Sequence, residues 1–176
     1  MRVNKALRIA TALGIAAAMA AGFEGLRQTA YSDPVGIATV CYGSTTDVDP
    51  HRIYSLDECR DRLDRDMLAA VEAVERCVPG LPPNVLAALA DAVYNLGPRI
   101  VCDRDRSTLA RHLAAGRIED ACRELPRWSK ARIAGVLVEL PGLVKRREAE
   151  MRLCLGARHA RGAPRGRHHS PMWRRA

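Results

Sequence analysis

The apolar residues of this chain change period several times, and each change marks an element. From Ile9 to Phe23, fifteen residues rich in alanine pass without a charge, which predicts one apolar helix. Behind the turn sequence Asp33-Pro34-Val35-Gly36 lies a short β-prone run, Ile37 to Tyr42. Pro34 fixes φ and Gly36 permits positive φ, so the stretch from Glu24 to Thr45 should double back as a small hairpin. Thr46 to His51 reads as a polar loop, and Ser55 with Glu58 forms a capping-box start. Leu56, Leu63, Met67, Ala70, Val71 and Val74 then recur at helical spacing as far as Pro79-Gly80, predicting one long helix.

Shorter helices follow, separated by proline and glycine. They are expected at about Pro83 to Leu96, Ser107 to Ala115, Ile118 to Leu125 (stopped by Pro126) and Pro141 to Leu155. Leu86, Leu89, Val93 and Leu96 give the first of these a core face. From Arg158 to Ala176 apolar residues nearly cease, and such a segment cannot bury enough surface to fold.

At 176 residues the chain is long enough for one domain with a real core. Its formal charge of +8 invites a nucleic-acid reading. Three of the basic residues, however, are Arg2, Lys5 and Arg8, and six are arginines from Arg158 onward. Removing those nine from 28 leaves 19 basic against 20 acidic residues, so the body is neutral and a nucleic-acid role rests on the tail alone. A solvated tail and a tail attracted to anionic lipid or wall polymer both fit this composition.

The basic start before the apolar run targets a membrane with its charged end inside. Fifteen helical residues span only about 22 Å, short of the ~30 Å hydrocarbon core, so the anchor is weak. Ala18-Met19-Ala20 also reads as a signal-peptide cleavage site. Cysteines 41, 59, 77, 102, 122 and 154 contain no Cys-x-x-Cys, which argues against zinc and, in an exported chain, for disulfides. Cys59 and Cys77 fall about 27 Å apart along the long helix, so they should not pair with each other. His168-His169 makes no coordination shell, and no metal is expected.

The candidate chemistry sits in the hairpin. Glycosidic bonds are cleaved by a carboxyl that donates a proton to the leaving oxygen and a second group that stays ionised to guide water. Glu24 follows an apolar stretch, the setting a proton donor needs, and Asp33 sits in a polar turn, the setting its ionised partner needs. Two acids nine positions apart are common on protein surfaces, so the pair gains meaning only from its neighbours.

Those neighbours are EGLR, AYSDPVG and TVCYGST around Glu24, Asp33 and Thr39, then AALADAVYNLG at 87 to 97, STL at 107 to 109, Arg127-Trp128 and LPGLVKRREAEMRLCLG at 140 to 156. In this order they closely resemble the phage-type lysozymes, the endolysin family that includes the lysozyme of T-even phages, over about 130 residues, a single-domain length. The resemblance implies an α+β, mostly helical, two-lobed domain: a small β-hairpin lobe and a helical lobe joined by the long helix, with the cleft between them. It makes Glu24 the general acid, Asp33 the carboxylate that activates water, and Thr39 the hydroxyl that holds that water. Arg146 matches the arginine beside the acid, and Asn95 is a candidate glycan contact. Ser44 stands where many relatives have histidine, and Lys145 where many have asparagine.

The same resemblance implies hydrolysis, with inversion, of the β-1,4 bond between N-acetylmuramic acid and N-acetylglucosamine in peptidoglycan, leading to host cell lysis. No cofactor is implied. Residues 1 to 23 look like the anchor of signal-arrest-release endolysins, residues 24 to 157 like the catalytic domain, and 158 to 176 form the basic tail. The expected protein is a monomer held in the inner membrane through residues 9 to 23, facing the periplasm and later released into it, with peptidoglycan and not nucleic acid as its partner. A membrane-tethered wall-binding module without hydrolysis is the alternative of a different class, and the presence of Glu24, Asp33 and Thr39 together argues against it.

Overall fold

The computed structural model describes residues 4 to 33 and 36 to 156. The turn residues Pro34 and Val35, the charge at Arg2 and the basic tail from Arg158 lie outside the described residues. Seven α-helices and two separate antiparallel hairpins are present among the residues described, an α+β architecture that is mostly helical.

Helix α1 runs Lys5–Glu24, with the Asn4 side chain accepting from the Ala6 N–H at its start. This cap adds a charged turn to the apolar run, making twenty residues, or about 30 Å. By length and composition α1 could cross a membrane. Here it is packed into the domain, with Ala12, Ala16 and Ala20 fully buried. Their four-residue spacing aligns three small side chains on one face, which lets α1 lie against the helices behind it.

The first hairpin pairs β1, Arg27–Ser32, with β2, Ala38–Cys41. Its register breaks between Arg27 and Tyr31, and Tyr31 then faces Thr39. Helix α2, Leu56–Cys77, begins with the reciprocal Ser55 and Glu58 capping box. Its twenty-two residues extend about 33 Å. A disulfide at each end fastens it: Cys59 joins Cys41 of the hairpin, and Cys77 joins Cys102. The third, Cys122 to Cys154, lies within the helical part. None joins the hairpin directly to the later helices, because α2 lies between them and offers one cysteine to each side.

Helix α3, Pro83–Leu96, is the centre of the core: every residue from Val85 to Val93 is buried, with α1, α2 and α7 (Pro141–Leu155) packed around it. Helices α4, Arg99–Cys102, α5, Thr108–Ala114, and α6, Ile118–Glu124, complete that lobe. The chain's α-helical turns stop ahead of Pro126 as expected, but its coiling does not end there. A 3-10 turn, Leu125–Trp128, carries it onward, because proline near the start of a helical turn removes an N–H that has no partner there anyway. A second hairpin follows, β3, Lys130–Ile133, with β4, Val136–Glu139. The apolar pattern did not mark it. All of β4 is exposed, so it lacks the alternation that burial imposes on a strand.

A polar contact pins the start of α1 to the rest. Arg8 donates to both Glu75 oxygens at 2.7 and 2.6 Å and to the Leu81 carbonyl at 2.9 Å. The hydrogen bond from Arg8 holds the Glu75 carboxyl below the ordinary carboxylate range. A carboxyl depressed in this way contributes stability that is present at neutral pH and lost as pH falls through its folded-state titration. Glu75→Gln is expected to cost about 1 to 2 kcal/mol at pH 7, and the difference from wild type should shrink below pH 4. Thermal unfolding of both proteins across that range checks it.

Candidate active site

Glu24 is the last residue of α1, and the chain leaves the helix through Gly25 at φ 67°. Its carboxylate accepts a hydrogen bond from Arg146 Nη1 of α7. The same guanidinium donates through Nε to Asp91 Oδ2 at 2.8 Å and through Nη2 to Asp91 Oδ1 at 2.9 Å. Arg146 is 3% exposed and Asp91 0%, whereas the Glu24 side chain keeps 22%. The buried end of this chain of charges thus lies in the core and the accessible end in a cleft. Burial works against the charge on Arg146, but the hydrogen bonds and charge of Asp91, then of Glu24, outweigh it and hold the guanidinium protonated.

The cleft encloses about 600 Å³. Glu24, Asp33 and Thr39 all line it, with Tyr94 and Asn95 from the end of α3 and Lys130 and Ala131 from the second hairpin. All three candidates therefore share one space, Glu24 reaching it from the end of α1 and not from the hairpin. Asp33 is held by its own turn: its N–H donates to the Ile37 carbonyl at 2.9 Å, and its Oδ1 accepts from the Ile37 N–H at 2.8 Å. Thr39 is 3% exposed, and its hydroxyl donates to the Ile37 carbonyl at 2.9 Å.

On the α3 side, the Tyr94 hydroxyl donates to the Tyr42 carbonyl at 2.6 Å, tying the helix end to the hairpin. Burial, and then the charge of Glu24, push this phenol's proton affinity up. The Asn95 side-chain oxygen is buried without a hydrogen-bond partner among the described residues. Of the two departures from the resembling family, Ser44 is buried and donates to Asp66 Oδ2 at 2.7 Å, while Lys145 is exposed on α7. No group of residues suited to hold a metal ion occurs among those described.

Sequence reasoning missed Asp91, Glu150 and Gly43. A signal for Asp91 was present: it is a lone acid inside the apolar run from Val85 to Val93, and such a residue needs a buried partner. Glu150 follows Arg146 by one helical turn and approaches its Nε at 3.6 Å. Burial, and then a hydrogen bond with Asp91, push the Glu150 carboxyl's proton affinity up, beside Arg147, which donates to it.

Gly43 has φ 91°, and a Cβ built on it would lie 3.0 Å from Glu24 Cδ and 3.1 Å from Oε2. Only glycine accommodates both that backbone and that approach. Gly43→Ala should cost about 1 to 3 kcal/mol and displace the Glu24 carboxylate from Arg146, as thermal unfolding and a crystal structure of the variant would reveal.

Comparison with known proteins agrees with this geometry. The chain is 37% identical over 160 residues to the SAR-endolysin of Pseudomonas phage phiKMV, covering 87% of this chain and 93% of that protein. It is 36% identical over 136 residues to the SAR-endolysin of Bacteriophage PS119, covering 76% and 77%. The muramidase domain of SpmX from Asticaccaulis excentricus superimposes with a TM-score of 0.70 at 29% identity, covering 80% of this chain and 95% of that one. The family model for phage lysozyme matches residues 21 to 150, and the chain is a member of the phage lysozyme family.

Proposed function

We propose that this protein is a muramidase that hydrolyses the β-1,4 bond between N-acetylmuramic acid and N-acetylglucosamine in peptidoglycan. The observation that carries the reading is the convergence of Glu24, Asp33 and Thr39 on one cleft. Glu24 donates its proton to the leaving oxygen from the wall nearest Arg146. Asp33, its carboxylate oriented by the Ile37 N–H, takes a proton from the attacking water. The Thr39 hydroxyl has its hydrogen committed to the Ile37 carbonyl, which leaves its lone pairs to accept from that water. Asn95, whose buried side-chain oxygen is unpartnered among the described residues, offers an acceptor to a sugar hydroxyl or acetamide N–H.

The delivery of the enzyme follows from α1. Residues 9 to 23 hold the chain in the inner membrane until α1 leaves the bilayer and packs its alanine face into the domain, carrying Glu24 to Arg146. While α1 spans the membrane, Glu24 lies one residue beyond the apolar run, away from α7, and the enzyme is inactive. The named SAR-endolysin relatives support this reading.

Two experiments test these statements. On purified peptidoglycan, Glu24→Gln is expected to lower release of reducing ends by at least about 100-fold while leaving the fold intact. Asp33→Ala should also be severe, and Thr39→Ala milder. Substantial hydrolysis by Glu24→Gln, or non-reducing products from the wild type, would sink the assignment. In cells, Gly14→Leu with Ala18→Leu should prolong membrane residence, because leucine favours the bilayer on insertion scales. Both positions are exposed in the packed helix, so the released enzyme keeps its core. Fractionation before and after depolarisation reads the outcome, and a periplasmic protein beginning at Ala21 would replace this model with ordinary signal cleavage.

A further inference from the structure

A proton donor set against an arginine faces a conflict. An opposite charge within a few ångströms favours the ionised carboxylate, yet glycoside cleavage requires the acid to arrive carrying its proton. Arg146 donates directly to Glu24, and its guanidinium is almost wholly removed from water, where its charge acts with little screening.

Asp91 answers that charge. It takes two of the guanidinium's donors, Nε and Nη2, at 2.8 and 2.9 Å and leaves Nη1 for Glu24. Resting on the reading of Glu24 as proton donor, we propose that Asp91 is a positioning residue that aims Arg146 at Glu24 and cancels its charge, so that the arginine orients the acid without stripping its proton.

The other groups around the pair do not supply this compensation. From α7, Glu150 comes only to 3.6 Å of Arg146 and takes its close hydrogen bond from Arg147 instead; burial, and then a hydrogen bond with Asp91, push its carboxyl's proton affinity up. Arg147, also on α7 and fully buried, adds positive charge to the cluster. From α3, Tyr94 is a neutral phenol that feels Glu24, Asp66, Arg146 and Asp91. From β1, Tyr31 is neutral and feels Glu24, Arg27 and Asp33. From α1, the Phe23 ring lies 5.7 Å beneath the guanidinium. Asp91 is the buried carboxylate that accepts two hydrogen bonds from Arg146.

The test is a titration of the Glu24 carboxyl by carbon-13 NMR, with the pH profile of wall hydrolysis measured beside it. Asp91→Asn keeps the size and one acceptor of the side chain but removes its charge. The Glu24 midpoint should fall by about one pH unit, and the alkaline limb of the activity profile should move toward acid by the same amount. In the double variant Asp91→Asn with Arg146→Gln the two opposite charges of the pair are removed together, and the midpoint should return to within a few tenths of wild type. An unmoved midpoint in Asp91→Asn, even with activity lost at every pH, would make Asp91 a scaffold and overturn the inference. Should that single variant fail to fold, a double-variant midpoint displaced by a full pH unit would overturn it equally. A wild type that titrates as expected but releases no reducing ends would instead defeat the muramidase reading.

Discussion

Arg146 is the point at which three helices become one site. It stands on α7, binds Asp91 of α3 and reaches Glu24 at the end of α1. Breaking a buried pair by removing one partner costs several kcal/mol, because the remaining charge stays in the core without compensation. The three helices are therefore held in one mutual arrangement by electrostatics as well as by apolar packing. The geometry at the cleft inherits its precision from that buried lock.

The same lock seats α1 in the domain. By length and composition α1 could also cross a membrane. Inside the domain, the Ala12, Ala16 and Ala20 face is covered, Arg8 finds Glu75, and Glu24 finds Arg146. Arg8 thus fastens the near end of the packed helix. A helix with larger side chains at the three alanine positions would lack the small face needed for close approach.

The cysteines distribute rigidity differently. Cys41 and Cys59 hold the hairpin to the start of α2, and Cys77 and Cys102 hold its far end to the helical lobe. The cleft itself is spanned by no disulfide; Tyr94 bridges it with a hydrogen bond to the Tyr42 carbonyl. The covalent ties thus brace the walls, and the two walls meet through this non-covalent contact.

Much was legible in the residues alone wherever a local rule governs. The capping box at Ser55 and Glu58, the long helix, and the helices beginning at Pro83 and Pro141 follow from periodicity and caps, which act over a few residues. The motif order pointed to Glu24, Asp33, Thr39, Asn95 and Arg146, and the fold brings all five to one cleft and the wall behind it. The second hairpin escaped because β4 is exposed throughout and β3 alternates only between exposed and half-buried, so no full burial pattern is written into it. Asp91 escaped for the opposite reason: burial hides it among alanines, and its partner lies 55 residues away in the chain. Local sequence determines which segments coil and where they stop, because propensity and capping depend on neighbours. Only the tertiary structure decides which charges face each other, because that depends on how the helices pack.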